Sequence, residues 1–221
     1  MMAAQTGPAP LLVTWWSADN GFAGPLDPVA GTVVEGGAGA HAGVYLVGIA
    51  HALEREAARR AIRHAIRAAL AWLCGVAEGD VDVPAGPGET PFAAVATGAG
   101  SLPRRIALAI SHDEDISVAA IGLDRAVGVD VMRIEAIPDW EALARDYLGP
   151  HVAASLAALS PDARPLALAR AWSEREARLK CLGRPLDEWH AEDEAALAGC
   201  ACGELALPAG YVGVLALGNE R

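Results

Sequence analysis

One segment of the sequence, Leu53 to Cys74, places its apolar residues at the spacing of a long α-helix. Its apolar stripe consists of Ile62, Ile66, Ala69, Leu70 and Leu73, and the arginines Arg59, Arg60, Arg63 and Arg67 lie away from that stripe. Gly75 follows directly and favours the end of the helix at Cys74. The apolar runs on both sides of this segment are short, which favours strands.

Strand and helix patterns occur in both halves of the chain, which predicts an α+β protein. Strands are predicted at Leu11–Trp16, Val44–Ala50, Pro91–Thr97, Arg105–Ile110, Ile116–Leu123 and Ala126–Ile134, with Ser111-His112 as a polar break after the fourth. Helices are predicted at Trp140–Leu148, Val152–Leu159 and Leu166–Leu182, and one or two strands at Glu204–Leu217. A boundary near residues 125–128 divides these elements evenly. We therefore expect an N-terminal half, residues 1–126, and a C-terminal half, residues 127–221.

The composition excludes several classes of protein. A hydrophobic content of 53% with 20% charged residues is typical of a folded globular chain rather than a disordered one. The net charge of −11 argues against a nucleic-acid partner. No stretch approaches the roughly 20 apolar residues that a membrane span needs, and Met1–Pro10 lacks the pattern of a signal peptide. We expect a cytoplasmic protein whose four cysteines are reduced thiols.

Two polar groups interrupt the apolar strands. Ser111-His112 begins an acidic run at the end of a strand, a pattern that is also typical of a surface loop. Asp130 lies in the middle of a valine-rich strand, on the face opposite Val129 and Val131. A buried carboxylate is costly without a partner, which favours a nearby cation or metal. Exposure of Asp130 at a strand end is the alternative.

The third polar group contains the only lysine of the chain, Lys180, because the other sixteen of the seventeen cations are arginine. Glu176 lies four residues before it, and Trp172 shares the same helix face. Glu four residues before Lys is also the favoured arrangement of an ordinary surface salt bridge. The lysine alone therefore leaves both interpretations open, since an ammonium is also a movable donor for phosphate.

The order of the three groups is specific: Ser111-His112, then Gly128-Val-Asp130-Val, then Trp172-Ser-x-x-Glu176-Ala-x-x-Lys180. This series resembles the 4′-phosphopantetheinyl transferases of the larger, Sfp-like type. Their motifs are Ser-His-Ser, Gly-Ile/Val-Asp-Ile/Val and Trp-Ser/Thr-x-x-Glu-Ala/Ser-x-x-Lys. The resemblance covers nearly the full chain, and its specific part is residues 105–186. It implies two pseudo-symmetric α+β halves with the active site between them.

The resemblance implies that the 4′-phosphopantetheine arm of coenzyme A is transferred to a serine of an apo acyl- or peptidyl-carrier protein, releasing 3′,5′-ADP. Asp130 and Glu176 would bind Mg²⁺, which commonly takes one or two carboxylates together with phosphates and waters. Glu176 would also accept the serine proton. Lys180 would contact the phosphates and assist the leaving group.

The resemblance also assigns binding roles. His112, with Ser111 beside it, would hold a phosphate of coenzyme A, and Arg59 or Arg60 would clamp the 3′-phosphate through a bidentate contact. Because the chain itself is acidic, an acidic carrier protein would dock on apolar contacts and on a local arginine cluster, which we expect around Arg164, Arg170 or Arg178. We expect a monomer.

The sequence departs from the family pattern at two positions. Met132 replaces a second acid two residues after Asp130, and Asp113 replaces the last serine of Ser-His-Ser. Glu135 does not substitute for the missing acid, since an odd offset points it to the other face of the strand. We expect a Mg²⁺ site with two protein carboxylates and an extra water. The alternative is a non-catalytic relative that binds coenzyme A or a carrier protein at a degraded metal site.

Overall fold

The computed structural model describes residues 9–29, 43–84, 90–96, 98 and 102–220. Most of Met1–Pro10 therefore lies outside the described residues, as does Thr97. The α+β prediction is confirmed, because the described part of the chain forms two β-sheets and five α-helices. None of the helices in these ranges is both long and apolar enough to span a membrane.

The strand predicted at Leu11–Trp16 is divided at Val13 into two strands that belong to different sheets. Strand β1 (Leu11–Leu12) pairs in parallel with a strand close to the C-terminus, at the edge of the smaller sheet. Strand β2 (Thr14–Ser17) pairs in parallel with Val44–Ala50 and is an inner strand of the larger sheet. Residues close to the N-terminus thus contribute to both sheets. The division at residues 126 and 127 stays a prediction.

The larger sheet carries helix α1 (Arg55–Cys74) on one face. After β2, its strands in chain order are β3 (Gly21–Phe22), β4 (Val44–Ala50), β5 (Val81–Asp82), β6 (Phe92–Val95), β7 (Arg104–Asp113) and β8 (Ile116–Gly122). Their order across the sheet is β3-β2-β4-β8-β7-β6-β5. The predicted apolar stripe of the helix is buried against this sheet. The helix ends at Gly75, whose φ of 65° is the left-handed conformation that glycine adopts without strain.

Ser111 and His112 do not break the strand, contrary to the sequence-based prediction. They are ladder residues of β7, and Ser111 pairs with Val118 while His112 pairs with Ser117 on β8. The polar break lies two residues later, at Glu114, whose φ of 37° forms the turn between the strands. Polarity indicated a loop here, whereas backbone pairing with β8 keeps both residues in the sheet.

The smaller sheet contains β9 (Arg125–Arg133), β10 (Ala201–Ala206) and β11 (Tyr211–Glu220), in the order β1-β10-β11-β9. The valine face predicted for β9 is confirmed, because Val127, Val129 and Val131 pack with residues of both sheets in one core cluster. The opposite face of β9 therefore points away from this cluster.

Helix α4 (Arg164–Cys181) lies on that opposite face, and Gly128 allows its close approach. A Cβ atom at residue 128 would lie 1.9 Å from the carbonyl oxygen of Ala177 and 2.5 Å from the amide nitrogen of Cys181. Glycine is therefore required where strand and helix backbones touch. This contact places the last turns of the helix beside Asp130, two residues along the strand.

The remaining helices of the C-terminal half lie before and after α4. They are α2 (Trp140–Leu143), a π-helical turn (Ala144–Leu148), α3 (Pro150–Ala157) and α5 (Glu194–Ala198). The first three bury Ala144, Leu148 and Leu156 with Leu168 of α4 in a core of their own. They pack against the N-terminal half of α4.

Candidate active site

A cavity of about 630 Å³ lies where β7, β9, α4 and the start of α1 meet. Its polar lining comes from residues far apart in the sequence: His51, Arg55, Ser111, His112, Asp113, Glu114, Asp130, Glu176 and Lys180. Five of the predicted site residues are among them. The fold therefore brings together the three polar groups of the sequence at one place.

Asp130 is the buried acid of this cavity, with 5% of its surface exposed. Its Oδ1 atom accepts a hydrogen bond from the Ser111 hydroxyl at 2.8 Å and one from the Lys180 ammonium at 2.7 Å. The Ser111 oxygen in turn accepts the backbone N–H of Val131 at 3.2 Å. The exposed alternative for Asp130 is wrong, and a cation is its partner, as the cost of burying a carboxylate requires.

Burial raises the pKa of Asp130 to about 6, although the Lys180 ammonium and the two hydrogen bonds act in the opposite direction. The neighbouring Glu176 carboxylate adds to the increase, because two negative charges disfavour each other. A further positive charge in the cavity would lower the pKa of Asp130 again. The site therefore favours a cationic ligand.

Glu176 and Lys180 lie on the face of α4 that closes the cavity. The indole N–H of Trp172 donates to Glu176 Oε1 at 2.8 Å, and Lys180 Nζ lies 3.3 Å from Glu176 Oε2. Lys180 thus contacts both carboxylates at once, whereas an ordinary surface pair has a single partner. The predicted helix face of these three residues is confirmed, and the indole holds one glutamate oxygen in place.

His112 lines the same cavity from β7, and its environment keeps it neutral. Burial lowers its pKa to about 4, and the positive charges of Arg59, Arg55 and Arg63 along α1 act in the same direction. At pH 7 the ring therefore offers hydrogen bonds rather than a charge.

Two residues of this region, His51 and Ser117, were not predicted from the sequence. Ser117 Oγ lies 2.7 Å from His112 Nδ1 and 2.9 Å from His51 Nε2. Reading residues 112–117 as a hairpin would have placed Ser117 opposite His112. No pattern in the sequence indicates His51, which directly follows β4.

The arginines near the cavity differ in how close they lie to it, and the two that were predicted to bind phosphate do not line it. Arg55 lines the cavity, and it was not singled out in the sequence. Arg59 lies one turn further along α1 and is paired with Glu56 at 2.5 Å. Arg60 is exposed and does not line the cavity. A bidentate clamp by Arg59 or Arg60 stays a prediction, and of these three arginines only Arg55 lines the cavity.

The arginines expected to dock a carrier protein lie away from the cavity. Arg164 donates to the carbonyl oxygens of Leu156 and Leu159, at the end of the preceding helix. Arg170 pairs with Glu204 at 3.1 Å, and Arg178 pairs with Glu174 at 2.6 Å. Arg170 and Arg178 are offset by two residues from the cavity-facing positions, which turns them to the other side of the helix.

The donor set of the cavity fits one magnesium ion. Within the described ranges, no group of three or more His, Cys, Asp or Glu side chains converges as a ready-made metal site. Mg²⁺ needs only one or two protein carboxylates when phosphates and waters complete its shell. Asp130 and Glu176 supply two, and the Lys180 ammonium already lies between them as a positive charge. Met132 lines the cavity without a donor for Mg²⁺.

Comparison with known proteins leads to the same part of the chain. Residues 126–203 match the family model of the 4′-phosphopantetheinyl transferase superfamily. The match covers about a third of the chain and includes Asp130, Glu176 and Lys180, whereas Ser111 and His112 precede it. It supports phosphopantetheine transfer as the general chemistry. A search of curated proteins found no significant match.

Proposed function

We propose that the protein is a Mg²⁺-dependent 4′-phosphopantetheinyl transferase of the larger, Sfp-like type. It would transfer the phosphopantetheine arm of coenzyme A to a serine of an apo acyl- or peptidyl-carrier protein and release 3′,5′-ADP. The observation that carries the proposal is the contact of Lys180 with Asp130 and Glu176, at 2.7 and 3.3 Å, in a cavity that also contains His112. Carboxylates, a cation and a neutral donor together suit a pyrophosphate substrate.

Binding of coenzyme A would use the cationic and hydrogen-bonding side of the cavity. Arg55 and His112 are the residues that would meet the phosphates, with Arg59 one helical turn beyond. A guanidinium suits phosphate oxygens because its donors form a planar fork. Asp130 and Glu176 would hold Mg²⁺, which when bound neutralises the pyrophosphate and orients it.

The uncharged arm of coenzyme A needs a different environment. A second cavity of about 470 Å³ shares Lys180 and Ile110 with the first and is otherwise lined largely by apolar residues, among them Pro91, Leu108 and Pro185. With the pyrophosphate at Lys180, the phosphates would lie in one cavity and the arm in the other. Lys180 at the junction would then be next to the bond that breaks.

In the chemical step, the carrier serine hydroxyl attacks the β-phosphorus, which carries the pantetheine arm. The bond from that phosphorus to the oxygen bridging to the α-phosphorus breaks, and the pair of electrons leaves with 3′,5′-ADP. Glu176 accepts the serine proton, because Trp172 fixes one of its oxygens and the other lies beside Lys180 at the cavity. Lys180 stabilises the charge on the departing oxygen as its ammonium.

A specific observation also favours the alternative, a non-catalytic relative that binds coenzyme A or a carrier protein. Met132 lies two residues after Asp130 on the same face of β9, and it lines the cavity without providing a ligand for a metal. A relative of this kind would bind coenzyme A through Arg55 and His112 and transfer nothing.

One experiment separates the two functions. The protein is incubated with coenzyme A, Mg²⁺ and several apo carrier proteins, and each carrier is weighed by intact-mass spectrometry. A gain of one phosphopantetheine on at least one carrier is expected. No gain on any carrier, together with measurable binding of coenzyme A by calorimetry, would support the non-catalytic relative.

A further inference from the structure

Beside the proposed catalytic groups, a serine joins two histidines, one on β7 and the other directly after β4. Ser117 on β8 is fully buried, and its hydroxyl lies 2.7 Å from His112 Nδ1 and 2.9 Å from His51 Nε2. His51 and His112 both line the cavity. Neither His51 nor Ser117 belongs to the motifs of the sequence or to the chemical step above.

The positions of the protons in this series of hydrogen bonds can be assigned by counting donors. A serine hydroxyl has one hydrogen and can accept two hydrogen bonds. Ser117 is buried, and within the described residues its hydroxyl bonds only to the two rings, so its hydrogen must go to one of them. The hydroxyl therefore donates to one ring and accepts from the other. The backbone N–H of Leu53 donates to His51 Nδ1 at 3.4 Å. His51 Nδ1 therefore carries a lone pair, and in a neutral ring the proton is on Nε2. Burial lowers the pKa of His51, which agrees with a neutral ring.

The direction of the other two hydrogen bonds follows. His51 Nε2–H donates to Ser117 Oγ, and the Ser117 O–H must then donate to His112 Nδ1. A ring that accepts at Nδ1 carries its own proton on Nε2. Because Nδ1 is bonded to Ser117, Nε2 is the nitrogen that can meet a ligand in the cavity.

We propose that His51 and Ser117 are positioning residues that hold His112 in its neutral Nε2–H tautomer, so that the ring donates a hydrogen bond to an anionic oxygen in the cavity. The identity of that oxygen as a phosphate of coenzyme A rests on the proposed function. The assignment of the proton does not, because it follows from Leu53, His51 and Ser117 alone.

The tautomer of His112 decides whether the ring attracts or repels an anion in the cavity. His112 is neutral, since its pKa lies near 4, and a neutral imidazole has one N–H and one lone pair. With the proton on Nδ1, the ring would direct its lone pair at the phosphate and repel it. With the proton on Nε2, the same neutral ring binds the phosphate without needing to become charged.

The first test is nuclear magnetic resonance of protein labelled with ¹⁵N in its histidines, at neutral pH without ligand. Couplings between the ring nitrogens and the carbon-bound protons distinguish the tautomers, and His51→Gln and His112→Gln variants assign the two rings. Both rings are expected as Nε2–H tautomers. A His112 ring protonated on Nδ1 in the wild-type protein would overturn the proposal.

The second test removes the hydroxyl. In Ser117→Ala, the Nε2–H preference of His112 should be lost, and KM for coenzyme A should rise about tenfold with kcat changed less than about twofold, as for a lost bond to a charged group. Ser117→Thr keeps the hydroxyl and should restore both readouts. Ser155→Ala is the matched control, because the exposed Ser155 bonds only to the helix carbonyl of His151.

Further outcomes are equally decisive. An unchanged His112 tautomer in Ser117→Ala would refute the role of the serine. Should that variant not fold, His51→Phe removes the first side-chain donor and leaves Ser117 intact, and the same loss of tautomer preference is expected. Wild-type protein that shows both Nε2–H rings but does not bind coenzyme A would support the proton assignment and remove only the transferase proposal.

Discussion

Helix α4 carries two ion pairs of the same type and spacing that differ in what lies opposite them. Glu174 and Arg178 pair at 2.6 Å, and Glu176 and Lys180 pair at 3.3 Å, each with the acid four residues before the base. The first pair faces away from the cavity. The second contacts the buried Asp130, because Gly128 brings the helix onto β9. The spacing of four residues along the helix produces both pairs. Only the pair of Glu176 and Lys180 lies against β9, and this contact makes it a candidate site.

The largest difference between the two pairs is expected in phosphopantetheine transfer. Glu176→Gln removes the proposed base and a metal ligand, and the transfer rate should fall on the order of 10²–10⁴-fold. Glu174→Gln keeps the fold and the cavity, so its rate should stay within about twofold of wild type. Initial rates with a fixed apo carrier measure both, and equal losses in the two variants would remove the distinction.

The contact between β9 and α4, which distinguishes the two ion pairs, can be changed at Gly128. In Gly128→Ala, the new methyl group collides with the backbone of Ala177 and Cys181, so α4 must move away from Asp130. We expect a loss of about 1–3 kcal/mol in the free energy of unfolding, since overpacked cores cost this much, together with loss of transfer. Gly24→Ala, where no atom lies within 4 Å of the new methyl, is the control. A stable, active Gly128→Ala variant would show that the close approach is not required.

The two cations should also differ in their contribution to stability. Lys180→Met leaves the buried Asp130 without its ion pair, which should cost about 1–3 kcal/mol at pH 8. Arg178→Met breaks a half-buried pair that has no buried carboxylate opposite it, and should cost less than about 1 kcal/mol. The cost of Lys180→Met should shrink at low pH. Without the ammonium, the pKa of Asp130 in the folded variant is higher than in the wild-type protein, so Asp130 binds a proton there and no longer carries a buried charge. Urea unfolding at pH 5 and pH 8 measures this, and a pH-independent cost would contradict it.

The proposed metal site at the cavity can be strengthened at Met132. Met132→Glu returns a third carboxylate to the face of Asp130, and the Mg²⁺ concentration for half-maximal thermal stabilisation should fall about five- to tenfold, as expected for one added ligand of a hard cation. Met132→Gln has the same shape without the charge and should give a smaller change. No difference between Met132→Glu and wild type would indicate that the metal lies elsewhere.

The smallest effect concerns the pH dependence of stability. The pKa of Asp130 is raised to about 6, so its contribution is present at acid pH and is lost as the pH rises from about 4 to 6. The pKa of His112 is lowered to about 4, so its contribution increases with pH across nearly the same window. The two slopes oppose each other in the wild-type protein.

Variants separate the two slopes. In metal-free buffer, His112→Gln should become less stable as the pH rises from 4 to 6, and Asp130→Asn should become more stable, each by less than about 1 kcal/mol per pH unit. Chemical denaturation at several pH values measures the slopes. Slopes of the same sign in both variants would contradict the assigned pKa directions.

Much of this comparison could be predicted from the sequence, and the missing parts have physical reasons. The periodicity of α1 and α4 and the valine face of β9 predicted those elements, because burial repeats at the period of each element. The register between two strands depends on both segments and cannot be predicted from either one alone. Ser111 and His112 were therefore predicted as a break in the strand, and the contact of Ser117 with His112 was not predicted. Arg55 was missed because an arginine at the first turn of a helix looks like any solvated one.

The most direct test of the proposed site is the intact mass of an apo carrier protein after incubation with coenzyme A and Mg²⁺. Wild-type protein and Asp130→Asn are compared, with the exposed Asp82→Asn as the control. The proposed site predicts a gain of one phosphopantetheine with wild type and Asp82→Asn, and none in the same time with Asp130→Asn. An equal gain with Asp130→Asn, or no gain on any carrier with the wild-type protein, would contradict it.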